Sequence, residues 1–300
     1  MMRDLLDITE CIVTVPDVEI HSTAQVITGL ILIGFVIAGT AALFHGRRYY
    51  RRRPLNHPEV DGPLVRRPWQ GIDVLLIMLF YIVTHVGAYR LYSLVEPVVD
   101  DPESSMAVQL SLAAALQLGG LAFILWLAIR HRGGWRKAFG RERGRPVSPL
   151  WLAAVIYLAI WPVQLVATPL YHGLLRMLDI SVDMQESLII LTTTDSPIVL
   201  AALLFMALIV APVAEELFFR GILLPVFRRR LGIWPAVILS SLVFALIHFH
   251  IPSFTGLFIV AIACSLAALW GKSVVPAIWL HALFNTVNTL LVLTWGIDGS

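Results

Sequence analysis

The chain has 300 residues, 58% of them hydrophobic and only 14% charged, with a formal net charge of +2. Its mean hydropathy is +0.81. Soluble domains are about one quarter charged, so a water-soluble globule is excluded and an all-α, polytopic transmembrane bundle is expected.

The first residues are acidic, with Asp4, Asp7, Glu10, Asp17 and Glu19 ahead of the first apolar run. A cleavable signal peptide needs a basic start, so this run reads as a retained helix. Cys11 and Cys264 lie far apart and form no paired-ligand spacing, so no disulfide framework or cysteine metal site is expected. Apolar segments then follow at Val26–Phe44, Ile72–Tyr89, Ala107–Ile129, Leu150–Leu174, Pro197–Phe219, Trp234–His248, Phe254–Trp270 and Val274–Val292. Most approach the length of about 20 residues that crosses a bilayer. The sixth and seventh are short, separated by Pro252, and are expected to pair without crossing fully.

The loops alternate in charge. Arg47 to Arg53 with Arg66 and Arg67, then Arg130 to Arg145, then Arg228 to Arg230, then Lys272 follow every second segment. Glu96 to Glu103 and Asp179 to Asp195 are acidic and fall between them. This pattern predicts about eight spans with both termini outside and the basic loops in the cytoplasm. The arginine runs read as juxtamembrane anchors, and no nucleic-acid partner is expected. Arg51–Pro68 and Arg136–Pro149 read as irregular loops. A functional division is expected near Ile180: residues 1–180 form a variable transmembrane region and 181–300 a catalytic helical core.

The fifth segment carries the residues that demand a reason. Ala211-Pro212-Val213-Ala214-Glu215-Glu216-Leu217-Phe218-Phe219-Arg220-Gly221 places two carboxylates inside an apolar run. Intramembrane charge is costly and usually functional. Adjacent residues point about 100° apart on a helix, so the two glutamates cannot serve one point. Glu216 and Arg220, four apart with the acid first, form a favourable helical pair. Glu215 is then left to face a polar cavity, where desolvation makes a carboxylate a better general base.

Later segments add Phe244 and His248, four apart, and His281 and Asn285, also four apart and on one helix face. At about 1.5 Å per residue, Glu215, His248, His281 and Asn285 fall at similar depth, about 14–21 Å from the nearest basic or loop end. Singly, each histidine reads as a helix-bridging hydrogen bonder. Together they read as a site within the membrane.

These motifs resemble the CPBP family, the CAAX-protease and bacteriocin-processing (Abi) group of intramembrane proteases. That family is marked by Glu-Glu-x-x-x-Arg, Phe-x-x-x-His and His-x-x-x-Asn. Here they stand as Glu215-Glu216 to Arg220, Phe244 to His248, and His281 to Asn285, in that order over Pro197–Val292. The resemblance implies an endopeptidase acting on a membrane-tethered peptide or protein. Glu215 would activate water, Glu216 and Arg220 would support it, and His248, His281 and Asn285 would position water or stabilise the oxyanion, with Phe244 as structural support.

The family is also described as metalloproteases, and Glu215, His248 and His281 are an acceptable set for zinc or another divalent metal. Since the compact His-Glu-x-x-His spacing is missing, metal-free glutamate catalysis is the preferred expectation. Two other classes remain open: a proton- or ion-coupled transporter using the same carboxylates, and a silent scaffold or immunity protein. Lipids are the expected surroundings and the plasma membrane of a prokaryote the expected location.

Overall fold

A computed structural model describes residues 67–95, 102–130, 138–139 and 148–295, with Gly34, Ile37 and Ala41 as isolated helical positions. The expected first span, apart from those three residues, lies outside the described residues, as does Cys11. The described residues form helices α1 (Gly71–Val95), α2 (Pro102–Arg130), α3 (Pro149–Met177) and α4 (Glu186–Thr193). Four more follow: α5 (Pro197–Leu231), α6 (Ile233–Leu246), α7 (Phe254–Trp270) and α8 (Val275–Trp295). No strand occurs among the described residues.

Helices α1, α2, α3, α5 and α8 are long and apolar enough to cross a membrane. Helices α6 and α7 are shorter apolar helices, in line with the pairing expected around Pro252. The outer faces are apolar: Leu75, Leu79, Ile82, Val83 and Val86 of α1 are all exposed. Such a continuous apolar surface fits lipid and not water.

Local sequence explains most boundaries. Ser148 caps α3 by accepting a bond from Trp151 N, and Pro149 occupies the first turn, where its missing N–H costs nothing. Pro197 likewise occupies the first turn of α5, where Ser196 makes no side-chain cap. Gly232, at φ +90°, makes the reversal between α5 and α6 that a side chain would strain.

Three expectations are corrected. Helix α5 does not stop at Phe219 but runs 35 residues to Leu231. Arg228, Arg229 and Arg230 therefore occupy its last turn, where positive charge suits the helix dipole. Ala138 and Phe139 are helical and buried, although the sequence reads there as loop. Arg67, read as an anchor, turns inward and is only 3% exposed. The cause is a set of backbone acceptors: Arg67 donates to the carbonyls of Arg220, Gly221 and Phe139, while Trp69 Nε1 donates to Ala138 O at 2.9 Å.

A first apolar cluster joins Trp69, Ile77, Ile124 and Phe139 to Leu217, Phe219, Ile222 and Phe244, so it spans both sides of position 180. A second packs α3 on α7 and α8 through Tyr157, Trp161, Cys264, Ala267 and Leu280. Helix α5 contributes Leu217, Phe219 and Ile222 to the first of these clusters, and the glutamates lie at its middle.

Candidate active site

The central part of α5 is not a uniform α-helix. One α-helical stretch, Ala211–Phe218, carries both glutamates and is bounded by π-helical turns at Met206–Val210 and Phe219–Leu223. Such turns are rare and concentrate at functional sites.

Glu216 and Arg220 are completely buried. Arg220 Nη1 donates to Glu216 Oε1 at 2.6 Å. The rest of the guanidinium is held by α7: Nη2 donates to Ala261 O at 2.7 Å, and Nε to Ser265 Oγ at 3.4 Å. Its carbon lies 4.9 Å from the Phe244 ring centre and 5.8 Å from that of Phe219, within cation–π range. A buried charge is tolerated only when paired and hydrogen-bonded in this way.

His281 of α8 completes the cluster. Its Nδ1 lies 2.9 Å from the same Glu216 Oε1. A carboxylate accepts, so Nδ1 carries the proton in this bond and Nε2 faces the other way. There, Glu215 Oε2 stands 4.0 Å from Nε2. The Glu215 side chain is one of the few polar groups here with access to the outside, at 21% exposure. Its Oε2 is nevertheless buried and has no hydrogen-bond partner among the described residues; Glu216 Oε2 is the same.

His248 and Asn285 are placed differently. His248 sits just beyond the end of α6, and its Nδ1 donates to Phe244 O at 2.7 Å, since a carbonyl can only accept. Phe244 lies beside both histidines, its ring centre 4.8 Å from His248 and 5.7 Å from His281. Asn285 Nδ2 donates to Ala207 O, in the first π-turn, at 2.7 Å. His250 is engaged locally with Ser253. The structure thus brings Glu215, Glu216, Arg220, Phe244 and His281 together, sets His248 against the Phe244 ring, and fastens Asn285 to the backbone of α5.

A resident metal does not fit these positions. Among the described residues no three His, Cys, Asp or Glu side chains converge on a point that would hold one. His281 Nε2 and Glu215 Oε2, at 4.0 Å, stand wider than two donors on one tetrahedral zinc, about 3.3 Å apart for bonds of about 2.0–2.1 Å. As placed, Glu215, His248 and His281 do not form the ligand set that the sequence left open as an alternative.

Sequence reasoning missed four contributors. Ala261 and Ser265 carry no signal, being small residues in an apolar run. Arg67 is indistinguishable by sequence from its neighbouring anchor arginines. Tyr81 of α1 lies within electrostatic reach of Glu215 and packs so closely on Gly120 of α2 that a Cβ there would overlap its hydroxyl.

Residues 197–287 match the family described as type II CAAX prenyl endopeptidase Rce1-like. The match begins at the first residue of α5 and covers every motif residue from Glu215 to Asn285, in agreement with the CPBP resemblance. No curated protein and no solved structure matches the chain.

Proposed function

We propose that this Rce1-like chain is an intramembrane endopeptidase that hydrolyses a peptide bond of a membrane-tethered substrate with Glu215 as general base. The observation that carries the reading is the division of labour between the two glutamates. Glu216 spends one oxygen on two donors, Arg220 Nη1 and His281 Nδ1. Glu215 leaves a buried oxygen without a hydrogen-bond partner, facing His281 Nε2 at 4.0 Å. That spacing suits a small polar group bridging the two.

In the proposed reaction a water oxygen attacks the scissile carbonyl carbon while Glu215 takes its proton. The carbonyl oxygen becomes an oxyanion. The intermediate then collapses as the C–N bond breaks and Glu215 returns the proton to the departing nitrogen. His281, oriented by Glu216, is placed to accept a hydrogen bond from the attacking water at Nε2, and as the protonated ring to donate from Nε2 to the oxyanion. His248, with Nδ1–H donating to Phe244 O, keeps Nε2 as an acceptor for a substrate N–H, and donates to a substrate oxygen only once it is protonated there. Proton transfer is worth about two to four powers of ten in rate and an oxyanion donor about two to three.

The proposed substrates are peptides held at the bilayer by a lipid or by their own helix, of the CAAX or bacteriocin type that the family resemblance implies. On this reading the chain is a multi-pass protein in the plasma membrane of a prokaryote, with both termini outside and the arginine-rich loops in the cytoplasm, the side that the positive-inside rule favours for them.

The test is cleavage of a lipid-tethered fluorogenic peptide by the purified protein in vesicles. Glu215→Gln abolishes cleavage while leaving the thermal unfolding midpoint near that of the parent. Normal cleavage by both Glu215→Gln and His248→Ala would overturn the reading. Ion flux in the same vesicles that is lost in Glu215→Gln would point to a transporter.

A further inference from the structure

Two prolines interrupt α5, and each sits just after a π-turn: Pro212 after Met206–Val210 and Pro225 after Phe219–Leu223. A proline supplies no N–H, and its ring presses on the carbonyl four residues back. The wider π-turn gives that ring room.

The hydrogen-bond register shows what each turn leaves open. Ala211 N donates to Met206 O, and Leu224 N donates to Phe219 O, both five residues back. The next bonds in that register would run from 212 to 207 and from 225 to 220. Neither proline can make them.

Both abandoned carbonyls are met from outside the helix. Asn285 Nδ2 donates to Ala207 O at 2.7 Å. Arg67 Nη1 donates to Arg220 O at 2.8 Å and to Gly221 O at 3.3 Å. Gly221 lies four residues before Pro225, so Arg67 covers both carbonyls that an N–H at 225 could have served. Inside a membrane protein such re-satisfaction by neighbouring side chains is what allows a proline within a helix.

The second turn is the one that bears on the site, because Arg220 belongs to it. Its backbone carbonyl is held by Arg67, while its guanidinium holds Glu216, which in turn holds His281. Arg67 also donates through Nη2 to Phe139 O at 3.2 Å, a carbonyl that keeps a second donor in Val274 N.

We infer that Arg67 is a positioning residue of the active site, capping the π-turn Phe219–Leu223 so that Arg220 is aimed at Glu216. Arg67 comes from outside the stretch 197–287 that matches the Rce1-like family, so the region before α1 takes part in building the site. The inference rests on the protease reading for its effect on rate, but not for its effect on the helix.

The experiment is a double-mutant cycle of Arg67→Met and Pro225→Ala in the full chain, read by cleavage of the lipid-tethered peptide and by thermal unfolding in detergent. Arg67→Met lowers kcat about tenfold, the scale of one lost hydrogen bond, with KM unchanged. Pro225→Ala restores the missing N–H, and the double variant returns to within about threefold of Pro225→Ala alone. The unfolding midpoints show the same rescue. A double variant no better than Arg67→Met in both readouts overturns the inference, as does an Arg67→Met protein indistinguishable from the parent. If the parent cleaves nothing, the protease reading fails while the rescue of the unfolding midpoint still decides the role of Arg67.

Discussion

His281 Nδ1 lies 2.9 Å from Glu216 Oε1, the oxygen that Arg220 Nη1 holds at 2.6 Å. One carboxylate oxygen thus ties α8 to α5, and Arg220 extends the tie to α7 through Ala261 O. Glu216 is a joint between three helices before it is anything chemical.

That joint predicts a stability effect distinct from the catalytic one. Glu216→Ala leaves the Arg220 guanidinium buried without its carboxylate, which costs about 3–5 kcal/mol for a buried pair broken on one side. Arg220→Lys is expected to fare little better. A lysine has a single ammonium and cannot reproduce bonds to Glu216, Ala261 and Ser265 in three fixed directions. Thermal unfolding in detergent measures both. Glu215→Gln serves as the contrast, since Glu215 Oε2 makes no hydrogen bond among the described residues and approaches His281 only to 4.0 Å. A Glu216→Ala protein as stable as Glu215→Gln would remove the joint.

Gly221 gives a second stability prediction. A Cβ there would lie 2.7 Å from Phe139 Cδ1 and 2.9 Å from Cε1. No side chain fits without moving a buried ring, and Gly221 O is one of the carbonyls that Arg67 reaches. Gly221→Ala should destabilise by about 1–3 kcal/mol, the usual cost of overpacking. Adding Phe139→Leu to that variant should return part of the loss. Unfolding midpoints of the two variants decide it, and an unperturbed Gly221→Ala would show that Phe139 yields freely.

The motif residues were legible because charge and imidazole are conspicuous in an apolar chain. Hydropathy gave most spans within a few residues, and the four-residue spacing of Glu216 and Arg220 gave their pair. What stayed hidden depends on backbone geometry. A π-turn has no residue signature of its own, so the continuation of α5 beyond Phe219 could not be read from periodicity. Arg67 is by letter one more arginine of a basic loop, and only the carbonyls freed by Pro225 account for its burial. Phe139 sits among basic residues that read as loop, and its burial follows from the glycine facing it. Asn285 was expected to face the chemistry because it shares a helix face with His281. Sharing a face fixes direction only to within a turn, and one turn along α8 from His281 the Asn285 amide donates to Ala207 O.

The distance between Glu215 and His281 bears on metal dependence. With their donors 4.0 Å apart and no third ligand converging, cleavage should survive a strong chelator at millimolar concentration. Elemental analysis of the purified protein should then find zinc well below one per chain. Activity lost to the chelator and recovered with zinc would mean that the helices close further around a metal than the present geometry does.

Asn285 separates two roles cleanly. Its amide now donates to the carbonyl that Pro212 leaves without a helix partner. Asn285→Leu removes that donor, and a lost hydrogen bond of this kind lowers activity by up to about tenfold. If capping is its whole contribution, Pro212→Ala supplies an N–H at the right place. The double variant should then cleave within about threefold of Pro212→Ala alone, since the two sites report on one bond. An oxyanion donor behaves otherwise. Its loss costs about 10²–10³ in kcat, and no backbone N–H within α5 replaces a group aimed at substrate. Steady-state kinetics on the four proteins of the cycle distinguish the cases. Recovery assigns Asn285 to the helix, and a double variant as slow as Asn285→Leu assigns it to the transition state.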